Sequence, residues 1–96
     1  MSTLVLKYPG KESIEGLVTD ALRIEEKELL TAVLKTKEHL SRFENKYRLS
    51  TSEFISAPPG SLEIDNMEAI EWSGEHETLE RIEESLKKLK EIEVCV

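Results

Sequence analysis

Residues 12–47 read ESIEGLVTDALRIEEKELLTAVLKTKEHLSRFENKY and contain no proline and a single glycine, Gly16. Apolar residues recur in this stretch at intervals of three and four, which is the period of one helix face. At about 1.5 Å per residue, a straight helix over this stretch spans about 50 Å, more than the width of an 11.0 kDa globule. We therefore predict one long helix over 12–47, or two that meet in the charged run 23–28, protruding or paired with another chain. The periodic residues are Ile14, Leu17, Val18, Ala21, Leu22, Leu29, Val33, Leu40, Phe43 and Tyr47.

A capping signal follows the long helix. In the sequence Ser50-Thr51-Ser52-Glu53, the Ser50 hydroxyl can accept a hydrogen bond from the backbone N–H of Glu53, while the Glu53 carboxylate accepts from the Ser50 N–H. This capping box predicts a short helix over 50–56. The next segment contains two consecutive prolines, which lack N–H donors and disfavour helical geometry in the residues before them. Residues 57–64 are therefore predicted to be a linker.

A second long helix is predicted over 66–92. Asp65 or Asn66 can cap its N-terminus, because both side chains accept hydrogen bonds from the free N–H groups of a first turn. The apolar residues that follow lie at the a/d spacing of heptads, which is typical of a helix that packs lengthwise on another helix. These residues are Trp72, Leu79, Ile82, Leu86 and Leu89.

Both ends of the chain carry apolar residues at alternate positions, the pattern of an extended segment with one buried face. We predict a short strand within 1–10, ended by Pro9-Gly10. The C-terminal tail is predicted to pair either with this strand or with the sheet edge of a partner. The alternating residues are Leu4, Leu6 and Tyr8 at the N-terminus and Ile92, Val94 and Val96 at the C-terminus.

Together these elements predict a single domain, residues 1–96, of mainly α class. Its fold is a long antiparallel helical hairpin plus a short helix, with short extended N- and C-terminal segments. The apolar stripes of the two long helices would bury more area in a four-helix arrangement than in a lone hairpin, and a core this small is marginally stable. We therefore predict a homodimer that forms a helical bundle.

Acidic residues dominate the charge and are concentrated in one segment. The chain has 13 basic and 20 acidic residues, a net charge of −7, which argues against a general nucleic-acid surface and favours a protein partner. Residues 63–84 hold nine acidic residues and one basic residue, Arg81, with large apolar residues between them. Such a segment either holds a basic partner or forms the protein's own core under a solvated acidic face.

Residues that usually carry chemistry are few. Cys95 is the single cysteine and has no neighbouring base, while His39 and His76 stand far apart, so neither a catalytic nucleophile nor a metal site is predicted. No glycine-rich phosphate loop is present. We predict no enzymatic activity and no cofactor. The sequence shows no membrane-spanning run and no signal-sequence pattern, which favours a cytoplasmic protein. Its acidic residues include 18 Glu among 20 and it contains no Gln, a composition typical of a thermophile.

Two alternatives rest on the second long helix. Glu68, Glu71 and Glu75 share one of its faces, which resembles the carboxylate arrangement of helical Mg-dependent nucleotide phosphohydrolases, but the sequence has no second Glu-x-x-Asp element. The other alternative is a self-associating helical scaffold without enzymatic activity, in which Trp72 and Phe54 belong to the core.

A further alternative concerns the N-terminus. A strand followed by a helix is similar to the start of a ribbon-helix-helix DNA binder, in which Thr3, Val5 and Lys7 would face the major groove of an operator. That motif needs a second helix soon after the first, whereas nothing interrupts the helical pattern here before Ser50.

A resemblance to a known family covers most of the chain. Residues 40–55 (LSRFENKYRLSTSEFI) and 67–75 (MEAIEWSGE) are similar to small acidic prokaryotic antitoxin-like proteins of toxin-antitoxin gene pairs. In that family a long helix ends in a Phe-x-x-Lys-Tyr-Gly-like turn, and a Ser/Thr-capped short helix and an acidic loop lead to a Glu-Trp motif. Arg48 stands where the family has glycine, so a positive φ at this position would be strained. The matching residues are Phe43, Lys46, Tyr47, Ser50, Glu53, Phe54, Glu71 and Trp72.

The resemblance implies a protein-binding module that neutralises a cognate toxin, often a basic ribonuclease-like protein, by protein-protein interaction. Operator DNA is a second partner that the resemblance allows. An acidic surface with aromatic anchors would imitate the negative field of RNA and cover the toxin's active surface. The predicted partner-binding residues are Tyr47, Phe54, Leu62, Ile64, Met67, Ile70, Glu71, Trp72 and Glu75.

Overall fold

The structure, a computed structural model, describes residues 2–10 and 14–95. Its elements are a strand β1 (Ser2–Val5), a long helix α1 (Glu15–Tyr47), a short helix α2 (Thr51–Ser56), a second long helix α3 (Asn66–Lys90) and a strand β2 (Ile92–Cys95). The prediction of a mainly helical chain is confirmed. The predicted start of the first helix at residue 12, and Val96 of the C-terminal tail, lie outside the described residues.

The two long helices form an antiparallel hairpin. Lys46, near the end of α1, contacts Glu68 near the start of α3, and His39 contacts Glu75 further along, so the chains of the two helices run in opposite directions. α1 is one helix of 33 residues without interruption in the charged run 23–28. The molecule is accordingly a rod, with principal extents of 63 × 20 × 18 Å.

The turn between α1 and α2 carries two of the predicted features. Arg48 caps α1 in the left-handed conformation, with φ 52° and ψ 47°, and its backbone N–H donates to the carbonyl of Glu44. The strain expected from a non-glycine residue at this position is therefore present. The capping box at the start of α2 is confirmed, since Ser50 Oγ accepts from the N–H of Glu53 at 3.0 Å and the Glu53 carboxylate accepts in return.

The two ends of the described chain meet in a parallel two-stranded sheet. β1 and β2 pair in register from Ser2 with Ile92 to Val5 with Cys95. Of the two pairings considered for the C-terminal tail, the structure shows the one within the chain. β1 ends earlier than the apolar alternation suggested, because Leu6 and Tyr8 follow the strand without ladder partners.

The core is a narrow seam between α1 and α3. Its buried apolar residues are Val33 and Leu40 from α1 and Trp72 and Leu86 from α3. Asp65 Oδ1 accepts from the N–H of Glu68 and fixes the start of α3, as predicted for a cap. Because two helices can cover each other on one side only, many large apolar side chains remain at the surface.

Candidate protein-binding surface

An aromatic cluster closes the hairpin where α2 meets α3. Trp72 has no exposed surface, and the Phe54 ring of α2 stacks on it with centroids 4.1 Å apart and planes within 5°. The Phe43 and Tyr47 rings of α1 stack against Trp72 at 5.5 and 5.9 Å. Ring pairs at these distances contribute roughly 0.5–1.5 kcal/mol beyond their burial, so this cluster stabilises the packing of all three helices against one another.

The polar edge of the indole is also satisfied inside the cluster. Trp72 Nε1–H donates to Thr51 Oγ1 at 3.0 Å, and both residues are buried. The backbone N–H of Thr51 in turn donates to the Glu44 carboxylate at 2.7 Å. A side chain of α2 thus ties the buried tryptophan of α3 to the end of α1.

This placement corrects the predicted partner surface at its centre. Trp72 was predicted to contact a partner, but it has no exposed area, because three rings and the Thr51 hydroxyl pack against it. Tyr47 and Phe54 are half-buried against it. Trp72 therefore belongs to the protein's own core, as the scaffold alternative requires, and Tyr47 and Phe54 pack against it. The sequence pattern missed Phe43 and Thr51 as members of this cluster, although Phe43 lies one helical turn before Tyr47 on the same face of α1.

Glu68, predicted to lie on an open carboxylate face, is held by two α1 side chains. Lys46 Nζ lies 2.5 Å from its Oε1, and the Tyr47 hydroxyl donates to its Oε2 at 2.7 Å. The hydrogen bond from Lys46, followed by the one from Tyr47, holds the pKa of the Glu68 carboxyl below its usual value. The same contacts raise the pKa values of Lys46 and Tyr47.

The neighbouring acidic residues of α3 share a polar cleft with basic residues of α1. Glu75 Oε1 lies 3.1 Å from His39 Nδ1, and the exposed Glu71 lines the same cleft as Arg42. Among the described residues, no group of three or more His, Cys, Asp or Glu side chains could hold a metal ion. The carboxylates proposed for magnesium binding, Glu68, Glu71 and Glu75, thus share this cleft with Lys46, Arg42 and His39 of α1.

A different face of α3 points to solvent. Met67 and Ile70 are 74% and 69% exposed. Ile70 stands two positions before Trp72, and two steps of about 100° place it on the opposite side of the helix. Gly74 lies one turn further along, with Glu77 beside it. We call Met67, Ile70, Gly74 and Glu77 the α3 outer face.

The linker before α3 adds to this surface. Leu62 is 37% exposed and Ile64 is half-buried, and Glu63 is exposed between them. Within residues 2–10 and 14–95, Glu63, Glu71 and Glu77 make no ion pair, whereas Glu68 and Glu75 contact basic side chains. Of these three carboxylates, Glu63 and Glu77 lie beside exposed apolar residues, whereas Glu71 lines the cleft with α1.

No protein-family model, curated protein or solved structure matches the chain. None of the helices within the described residues combines the length and the apolar character needed to cross a membrane.

Proposed function

We propose that this protein is an antitoxin-like protein-binding module, which neutralises a basic toxin by covering it with the α3 outer face. The observation that carries the proposal is the exposure of Met67 and Ile70 on a helix face that is turned away from the hairpin's own core. Large apolar side chains that remain in water on a charged helix are the usual anchors of a protein interface.

The apolar anchors can supply a useful part of the binding free energy. Full burial of a Met or Ile side chain stabilises a complex by about 1.5–3 kcal/mol, and some 70% of each side chain's surface is still available. Their combined contribution is therefore about 2–4 kcal/mol, which corresponds to roughly 30- to 1,000-fold in Kd. Leu62 at the edge of the same surface adds to this area.

Charge gives the surface its preference for a basic partner. Residues 63–84 carry nine acidic residues against one basic residue, and those on the α3 outer face are not neutralised by α1. Such a field attracts a partner that presents lysine and arginine to RNA phosphates, and it raises the association rate at low salt. The proposed toxin is therefore a basic, ribonuclease-like protein whose cationic surface the acidic face covers.

A capture experiment tests this proposal. The tagged full chain and its Met67→Gln/Ile70→Gln double variant are used to capture proteins from the native cells at low and moderate salt, and the captured proteins are quantified by mass spectrometry. Ile55→Gln on α2 is the matched control, since Ile55 is an exposed apolar residue at 44% away from the α3 outer face. We expect one basic protein near one-to-one with the wild type and the control, lost from the double variant and weakened by salt.

Co-expression then separates neutralisation from mere binding. The captured protein should arrest growth when expressed alone, and the wild-type chain should restore growth where the double variant does not. A captured protein that is acidic, or one that the double variant retains as well as the wild type, would overturn the proposal.

The self-associating scaffold is a second candidate, favoured by the burial of Trp72 within the chain. In the antitoxin-like function Met67 and Ile70 contact a toxin, whereas in a scaffold they can contact only other copies of this chain. For a scaffold, the capture experiment would therefore recover this chain alone.

A further inference from the structure

The chain exposes far more surface than a compact protein of its mass. A folded monomer of 11.0 kDa is expected to have about 5,600 Å² of accessible surface, whereas this chain has 7541 Å². Its radius of gyration is 19.2 Å, against about 12.5 Å for a compact domain of 96 residues. The excess of about 1,900 Å² exceeds the roughly 800 Å² that each partner of a stable complex buries.

Part of that excess lies on α1, on the side turned away from α3. Leu17, Ile24 and Leu34 are 73%, 60% and 71% exposed. Successive steps of about 100° place Ile24 diametrically opposite the buried Val33, and Leu17 within about 20° of Ile24. We call Leu17 and Ile24 the α1 outer face, and Leu34, about 80° from Ile24 by the same count, lies at its edge. It belongs to a different helix from the α3 outer face, so one partner on each can be bound at the same time.

The charges around Ile24 are arranged for self-association in one orientation. Asp20 and Arg23, joined at 3.6 Å, lie before Ile24, and Lys27 lies after it, within about 20° of the side of the helix that carries Asp20. The other charges of this run, Glu25, Glu26 and Glu28, lie about 80° or more from Asp20 around the helix. If a second copy of α1 crosses antiparallel beside Ile24, Asp20 of each copy stands near Lys27 of the other. A parallel crossing would instead place Asp20 beside Asp20 and Lys27 beside Lys27, where like charges repel.

The same orientation brings the two copies of Ile24, which are 60% exposed, together beside the two-fold axis. Leu17, seven positions before Ile24, then lies near Thr31 of the second copy, seven positions after Ile24. In such an isologous interface, the two copies of the same residue meet only at the two-fold axis, which here lies beside Ile24. Two hairpins joined in this way form a four-helix assembly with a second apolar layer between the two α1 helices.

We propose that the α1 outer face is a homodimer interface, on which a second copy of this chain packs antiparallel about a two-fold axis beside Ile24. The interface goes beyond the proposed toxin binding and needs no other partner. In such a dimer the two α3 outer faces point away from each other, because each α3 lies on the far side of its own α1.

The first test is the molar mass of the pure full chain, measured by light scattering at micromolar concentrations. We expect about 22 kDa, twice the chain mass of 11.0 kDa, for the wild type and for the matched control Ile70→Glu. Ile24→Glu places two carboxylates, one from each copy, face to face at the axis. Their repulsion should reduce the molar mass to that of one chain. Circular dichroism checks that both variants keep their helices.

A crosslinking test fixes the orientation and does not depend on a destabilising variant. In a Cys95→Ser background, Ile24→Cys should form a covalent dimer on mild oxidation, since equal residues meet at the axis. Leu34→Cys, at the edge of this face and 71% exposed, should not, because antiparallel pairing separates its two copies by about 30 Å and a disulfide needs Cα atoms within about 7 Å.

Three results would overturn the interface. A wild-type mass of one chain excludes the dimer, while a dimer that survives Ile24→Glu and gives no Ile24→Cys crosslink places the contact elsewhere. A crosslink with Leu34→Cys as efficient as with Ile24→Cys excludes the antiparallel register. All of these measurements use the pure chain, so they leave the toxin-binding proposal to its own test.

Discussion

Thr51→Val removes one hydroxyl from the aromatic cluster while keeping the shape of the side chain. In the wild type, Thr51 Oγ1 accepts from the Trp72 Nε1–H at 3.0 Å, and the indole has no exposed surface from which water could replace it. The variant therefore leaves a buried donor without an acceptor, which costs about 1–3 kcal/mol of unfolding free energy. At an m-value of about 1.5 kcal/mol/M, the urea midpoint falls by roughly 0.7–2 M.

A double-mutant cycle with Trp72→Phe isolates this hydrogen bond from the other effects of each change. In the Trp72→Phe background the donor is absent, so adding Thr51→Val should cost little or stabilise the protein slightly. Urea unfolding is followed by far-ultraviolet circular dichroism, because the variant lacks the single tryptophan. All four proteins are compared at one concentration, since dimer formation would make apparent stability depend on it.

The coupling free energy from the cycle measures how much the hydrogen bond between Trp72 and Thr51 contributes to stability. We expect about 1–3 kcal/mol, close to the cost of the single Thr51→Val change. A coupling below about 0.3 kcal/mol would show that the indole N–H gains nothing from Thr51, and the role assigned to α2 in closing the hairpin would then be wrong.

Three further changes have defined outcomes. Arg48→Gly should raise the unfolding free energy by about 0.5–1 kcal/mol, because glycine adopts the φ of 52° without strain; no gain in urea unfolding would refute this. Trp72→Ala should cost about 3–5 kcal/mol, and a thermal midpoint near the wild-type value would contradict its place in the core. Glu68→Gln should reduce the pH dependence of the unfolding free energy. In the wild type, the lowered pKa of Glu68 stabilises the fold above the usual value of 4.5, and this contribution is lost in acid. The raised pKa of Lys46 stabilises the fold below 10.5, and this contribution is lost in alkali. If the unfolding free energy changes with pH by the same amount in both proteins, the contact between Lys46 and Glu68 is excluded.

Local signals in the sequence were sufficient for the presence of the three helices, whereas the predicted end of the last helix, residue 92, lies in β2. The uninterrupted apolar period predicts α1, and the capping box at Ser50 and the cap at Asp65 place the starts of α2 and α3. These features depend on residues within one or two turns of each other. They can therefore be predicted without knowing which helix lies beside which.

The candidate site was harder, because it depends on which surface each helix face meets. Trp72 and Ile70 were assigned to one partner surface, yet two positions along a helix turn a side chain through about 200°, so the two cannot share a face. This separation of Trp72 and Ile70 on two faces of α3 could have been predicted from the sequence. The contacts of Glu68 and Glu75 with α1 could not, because they depend on the register of the hairpin, which no short-range pattern defines.

The parallel pairing of β1 with β2 has a consequence for the order of folding. Ser2 and Ile92 are 90 positions apart, so the sheet cannot form during synthesis until nearly the whole of the described chain has left the ribosome. Closing a flexible loop of that length costs about 4 kcal/mol of chain entropy, more than two short strands can return. Once the hairpin has formed, most of this entropy is already lost and the ends lie close together. We therefore expect the sheet to form last and to open first, so its amide hydrogens should exchange faster than those beside Trp72.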